Sequence, residues 1–140
     1  MLYVEIVSPD GAVFRGEAEG VQVPGVEGSF EVRTGHAPMI AAFGVGPLLV
    51  REGKGQDVQY ATSGGFLEVL GDRVTVLAET AEPASAIDVE RAKAAEERAR
   101  ARIAASTDPA ERAAAESALE RARNRARLAM GKVGTRTSAA

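Results

Sequence analysis

Four arginines and one aspartate in the C-terminal part of the chain have types and spacing suited to chemistry. Asp88 and Arg91 are three residues apart, Arg91 and Arg98 seven, and Arg121 and Arg125 four. On helices each pair shares a face. If two helices return antiparallel, Asp88 comes near Arg125, and Arg91 near Arg121 or Ala122. Guanidinium groups bind phosphate oxygens through paired hydrogen bonds, and a neighbouring carboxylate accepts from an amino group such as that of adenine. The set suits a nucleotide. A solvated basic helix face with local Glu–Arg pairs is the plainer alternative on spacing alone. No Gly-x4-Gly-Lys-Ser/Thr loop occurs, and Gly44-Val45-Gly46 and Gly53-Lys54-Gly55 read as hairpin glycines, so nothing points to hydrolysis. Arg121, Arg123, Arg125 and Arg127 also crowd one segment, spread over more than one helical face, where they could meet an acidic partner protein. Nucleic acid fits less well, because no aromatics interleave the arginines for stacking.

The elements that must carry these residues follow from residues 85 onward, rich in the helix formers Ala, Glu and Arg. Ser85-Ala86-Ile87-Asp88 fits a capping box at a helix start, with the helix running to about Ala104. Asp108-Pro109-Ala110-Glu111 starts a second helix: an Asp cap, Pro in first position, Glu in third. It should stop near Met130, at Gly131. The pair forms an antiparallel hairpin whose seam is Ala92, Ala95 and Ala99 against Ala115, Ala118 and Ala122. Such a seam permits close approach but buries little area, so the hairpin should open or detach readily. The polar stretch 132–140 reads as a flexible tail.

The first part of the chain carries a different pattern. Residues 2–7, 12–14, 18–23, 29–32, 47–51, 58–62, 66–70 and 74–79 read as short strands, punctuated by Gly-rich turns. About eight strands in so short a span imply a compact all-β sandwich or barrel. The fold class expected is therefore an N-terminal β-sandwich, residues 1–84, followed by a C-terminal two-helix hairpin, residues 85–131. Charge divides the same way. Residues 1–86 hold 5 basic and 12 acidic side chains, net −7, and residues 87–140 hold 12 and 8, net +4, within an overall −3. Of the 140 residues, 27 are Ala and none is Trp, so the core must be modest. The lack of cysteine excludes disulfides and thiolate metal sites, and the lone His36 argues against histidine metal centres or catalysis. No apolar run is long enough to span a membrane, no signal peptide is evident, and the cytoplasm is the default compartment.

Four ordered blocks carry a resemblance. They are Val7-Ser8-Pro9-Asp10-Gly11 with Val13-Phe14-Arg15-Gly16; Val23-Pro24-Gly25-Val26-Glu27-Gly28-Ser29-Phe30 followed by Gly35-His36-Ala37-Pro38; Ser63-Gly64-Gly65-Phe66-Leu67-Glu68-Val69 with Val74-Thr75-Val76-Leu77-Ala78-Glu79; and Ile87-Asp88-x-x-Arg91-Ala92. Together they resemble the epsilon subunit of F-type ATP synthases, over residues 2 to about 130. The resemblance implies a non-catalytic rotor-stalk subunit whose sandwich binds the gamma subunit and sits on the c-ring. Its hairpin can extend toward the catalytic alpha/beta head and inhibit ATP hydrolysis. It implies a peripheral protein at the cytoplasmic face of the bacterial inner membrane, touching the membrane only through the complex.

Residue by residue, the resemblance gives Glu27, Gly28, Ser29, His36, Ala37 and Pro38 to the loops facing the c-ring. Arg33-Thr34 departs from the apolar residue and Pro usual there. Segment 87–99 resembles the ATP-binding form of the family motif, which implies nucleotide contacts from Ile87, Asp88, Arg91, Ala92 and Arg98. Arg121, Arg125 and Glu82 match further positions near the nucleotide of such members. ATP is then a regulatory ligand, favouring the folded hairpin, and no cofactor or metal is required. For gamma docking, exposed apolar positions around Phe43 to Leu49 are the candidates. A rotor subunit with an inert hairpin, and a nucleotide-sensing adaptor outside ATP synthase, remain the alternatives; an enzyme lacks any paired-carboxylate spacing.

Overall fold

A computed structural model describes residues 1–131; the expected tail, 132–140, lies outside the described residues. Ten strands precede two helices: β1 (Leu2–Ser8), β2 (Gly11–Ala18), β3 (Gly20–Gly25), β4 (Gly28–Arg33), β5 (Met39–Phe43), β6 (Gly46–Gly53), β7 (Gln56–Thr62), β8 (Gly65–Leu70), β9 (Arg73–Ala78) and β10 (Ala81–Pro83), then a 3-10 turn at Ala84–Ala86, α1 (Val89–Ala105) and α2 (Pro109–Ala129). The strands pair in the order β10-β7-β6-β3-β5-β8-β9-β1-β2, with β4 on the free side of β3. The β3–β5 link is a single pair, Gly25 with Phe43. The sheet therefore folds there into two layers, the β-sandwich expected, with β1 running parallel to β9.

Alternation puts one face of each strand inside. Leu2, Val4 and Ile6 of β1, Leu67 and Val69 of β8, and Val74 and Val76 of β9 meet Val21, Val23, Leu48 and Val50 from the opposite layer, all almost wholly buried. Tyr60 joins this core, and burial, with Glu52 nearby, raises its phenol above the ordinary value. On the outer face of β3–β4–β6, the Glu31 carboxylate is nearly buried and held by Arg33 at 2.7 Å and Arg51 at 3.0 Å; Arg51 also reaches Asp57 at 3.1 Å.

Strands β5 and β10 were not anticipated. In Met39-Ile40-Ala41-Ala42-Phe43 the paired alanines dilute the strand preference of Ile40 and Phe43, and the ladder to β8, from Met39–Val69 to Phe43–Gly65, completes the extended form. Strand β10 is three residues at a sheet edge, where Pro83 is tolerated because only one side pairs.

The start of α1 corrects one expectation. Ser85 lies in the 3-10 turn and caps nothing; Asp88 is the N-cap, its Oδ1 accepting from the Arg91 amide at 3.1 Å. The second helix begins as expected, with Asp108 accepting from the Ala110 amide and Pro109 in the first turn. Ala92, Ala99, Ala115 and Ala122 are buried along the seam. Glu96 faces Arg123 across it at 3.7 Å. Because Asp88 is exposed and its cap bond is local, Asp88→Ala should cost about 1 kcal/mol, seen as lower urea resistance with faster amide exchange in the first turn of α1.

Candidate functional site

The hairpin lies on the outer face of β6–β7. An apolar cluster forms the contact: Ile87, Ala92, Ala126 and Leu128 pack with Ala61 of β7. Two polar ties reinforce it. Asn124, in the C-terminal half of α2, donates its side-chain amide to the backbone carbonyls of Gly46 (2.8 Å) and Thr62 (3.5 Å). These two residues are themselves paired across β6 and β7. Arg125 makes a two-point ion pair with Glu82 of β10, Nε to Oε1 at 2.9 Å and Nη2 to Oε2 at 3.4 Å. Both partners are about one-third exposed, so solvent screens the pair and its worth to stability is under about 1 kcal/mol.

Beside these ties is a cavity of about 310 Å³. Its α2 wall includes Ala118, Arg121, Asn124 and Arg125, its α1 wall Ala95, and its sandwich wall Ser63, Thr80 and Glu82. The structure thus brings together three of the sequence-derived residues, Glu82, Arg121 and Arg125. Ile87 and Ala92 are buried in the apolar cluster next to it. Arg91 and Arg98 are exposed and do not line the cavity; they flank Ala95 at helical spacings of four and three, on the same face of α1. Asp88 is also outside the lining, its carboxylate engaged at the helix cap. The carboxylate that pairs with Arg125 is Glu82, and not the Asp88 expected from the hairpin spacing. Arg91, Arg98 and Arg121 make no ion pair among the described residues. Asn124 was missed from the sequence, although an Asn inside an Ala- and Arg-rich helix, where it weakens the helix intrinsically, is a signal of an external partner.

The second group of expected residues divides between two places. Glu27, Gly28 and Ser29 are exposed at the β3–β4 turn. His36 follows the other end of β4; its amide donates to the Arg33 carbonyl at 3.1 Å, and its Nδ1 lies 2.8 Å from the Ala37 carbonyl. The strand between them is ~16 Å long. Ala37 and Pro38 are exposed and lead into β5.

The expectation of a docking patch around Phe43 to Leu49 fails. Phe43, Leu48 and Leu49 are at most 4% exposed. Phe43 and Leu48 fill the core. A cluster of exposed apolar residues lies on the outer face of β5, β8 and β9 instead: Ile40, Phe66, Leu70 and Leu77, each more than half exposed. Phe66 and Leu77 are cross-strand partners and line a cleft with Val7 and Pro9.

Comparison with known proteins agrees with this architecture. Residues 1–84 match the family description "ATP synthase, Delta/Epsilon chain, beta-sandwich domain", and residues 85–130 match "ATP synthase, Delta/Epsilon chain, long alpha-helix domain". The ATP synthase epsilon chain of Salinibacter ruber is 58% identical, covering 98% of this chain and 97% of that one. The ATP synthase epsilon chain of Shouchella clausii is 43% identical over 94% of this chain and 96% of its own length. Among solved structures, a chain of the Euglena gracilis mitochondrial ATP synthase OSCP/F1/c-ring assembly superposes with a TM-score of 0.76 at 31% identity, over 85% of this chain and 75% of that one. With both of its parts, sandwich and helical hairpin, matched in order, the chain belongs to the ATP synthase delta/epsilon chain family.

Proposed function

We propose that the protein is the epsilon subunit of a bacterial F-type ATP synthase, a non-catalytic part of the rotor stalk that couples ring rotation to ATP synthesis. The observation that carries this is the match of both domains, in order, to the family, with a 58% identical epsilon chain over nearly the whole length. The exposed apolar face of β5, β8 and β9 is the docking surface for gamma, because a patch of that kind on a small domain needs a cover. The turn at Glu27–Ser29 and the loop at His36–Pro38 face the c-ring. No helix among the described residues is long and apolar enough to cross a membrane; on this reading the chain is held at the cytoplasmic face through the complex.

Reconstituting the enzyme without this chain tests the assignment. Proton-driven synthesis should collapse, and unchanged coupling would remove the stalk role. The docking face is tested by Phe66→Glu with Leu77→Glu. Both side chains are exposed, so the fold should persist while affinity for gamma falls roughly tenfold or more, read by calorimetry.

The cavity beneath the hairpin takes ATP as a regulatory ligand. Arg121 is the guanidinium on its wall without an ion-pair partner among the described residues, Arg125 becomes a second when a phosphate oxygen replaces Glu82, and Arg91 and Arg98 approach from α1. Glu82 then accepts from the ligand's hydroxyl or amino groups, and Asp88 meets the adenine amino group with the oxygen not used at the cap. A ligand bound to the docked state alone draws the hairpin down and away from the catalytic head.

A further inference from the structure

The cavity has a sandwich wall as well as a helical one, and the sandwich wall decides what a ligand does to the hairpin. A nucleotide held by α1 and α2 alone binds equally to a docked hairpin and to an intact detached one. Equal affinity shifts nothing, however tight the binding. Discrimination requires ligand contacts from the sandwich.

Two side chains there are placed by strand register. Thr62 of β7 pairs with Ala81 of β10, so the next residues outward, Ser63 and Thr80, stand opposite one another. Their hydroxyl oxygens are 2.8 Å apart, and both residues line the cavity, as Arg121 does. Within the pair one O–H donates to its neighbour; the other is left to donate to a ligand oxygen. The connection behind them is held by the backbone: the Glu79 amide donates to the Gly64 carbonyl at 2.8 Å, and the Gly64 amide to Thr62 Oγ1 at 3.2 Å. The hydroxyl pair is thus a positioned donor on the wall of a cavity that Arg121 also lines, a combination suited to an anionic ligand.

We infer that Ser63 and Thr80 are the phosphate-binding part of the sandwich wall, beside Glu82, donating to a phosphate oxygen of a nucleotide that Arg121 also holds, so that full affinity requires the docked hairpin. This rests on the nucleotide reading given above. It assigns to two hydroxyls, outside the arginine motif, the linkage between ligand and hairpin position.

The test uses the full-length chain. Calorimetric titration with ATP gives affinity, and a spin-label distance between cysteines introduced at Ser106 and Thr34, the only thiols in this cysteine-free sequence, gives the docked fraction. Ser63→Ala with Thr80→Val should weaken ATP binding roughly tenfold, the loss of a hydrogen bond to a charged group, with the docked fraction of the unliganded protein unchanged and its rise on adding ATP diminished. Thr80→Ser, which keeps the hydroxyl, should behave as the parent. Parental affinity in the double variant, alongside lost binding in Arg121→Ala, Arg125→Ala, would overturn the inference and leave the nucleotide reading standing. So would a Thr80→Ser variant as weak as the double variant, or a docked fraction altered without ligand, since either makes the hydroxyls packing elements. No ATP binding by the parent would overturn both readings.

Discussion

Gly65→Ala is expected to be among the most damaging single substitutions in the protein. Gly65 begins β8 and pairs on both sides, with Phe43 of β5 and Ala78 of β9. Its φ is +155°, and a Cβ there would sit 2.0 Å from the Leu77 carbonyl oxygen and 3.0 Å from the Ala78 Cα. Both obstacles are backbone, so no side chain can swing aside, and relief requires the β8–β9 ladder to separate. Overpacking and backbone strain each cost of order 1–3 kcal/mol. Their sum, about 3 kcal/mol or more, is a large share of the stability of an ordinary domain. Thermal unfolding followed by circular dichroism should show a fall of ~10 °C. Gly11→Ala supplies the comparison: φ is +123° but no atom lies within 4 Å of the added Cβ, so it carries the strain without the clash. Equal losses in the two variants would mean that the ladder accommodates the methyl group.

Arg121→Ala with Arg125→Ala should abolish measurable ATP binding by the isolated protein while barely changing its stability. Each charge-assisted hydrogen bond to phosphate is worth ~1.5–3 kcal/mol, so losing the guanidinium groups on the cavity wall weakens binding on the order of a hundredfold or more. Stability moves little because Arg121 is exposed and unpaired among the described residues, and the Arg125–Glu82 pair is open to solvent. Titration calorimetry beside urea unfolding separates the two effects. If the parent binds no nucleotide up to millimolar ATP, the arginines serve protein partners, Arg125 stays with Glu82, and the hairpin is a structural part of the rotor. A variant that loses binding and unfolds together would instead make the pair a structural clamp.

The features legible in the sequence were those set by local chemistry. The Asp108-Pro109 helix start needs only adjacent residues, and the alanine seam needs only the helical repeat; Ala92, Ala99, Ala115 and Ala122 are buried as that repeat requires. What depended on pairing at a distance was not legible. Strand β5 exists because β8 pairs with it, and β10 because Tyr60 to Thr62 offer an edge. Apolarity alone could not say which face of a strand is inward. Leu48 and Val50 fill the interior while Leu49, on the other side of β6, is also covered, and the candidate docking patch around them vanished. The cavity was half legible. Arg121 and Arg125 are one helical turn apart and had to share a face, and Glu82 came through the family resemblance, but Ser63 and Thr80 arrive from strand ends more than 40 residues away in sequence. Asp88 read as a ligand group because the rule that spends it on the helix start was assigned to Ser85.

Asn124 grips main-chain oxygens and no side chain of the sandwich. The carbonyls at positions 46 and 62 are the same in every amino acid, so the tie reads the position of the strand backbone and not a side chain, although Gly46 itself is held to glycine by Pro24, 2.6 Å from where a Cβ would stand. The chemical information for that part of docking is therefore written on one helix only. Substitutions that leave the backbone of β6 and β7 in place can tune the sandwich's partners without loosening this grip, whereas a single change at position 124 alters the hairpin's hold and the cavity wall together. Of the contacts between the two parts, this one survives drift in the sandwich's side chains, while the Arg125–Glu82 pair and the packing on Ala61 do not.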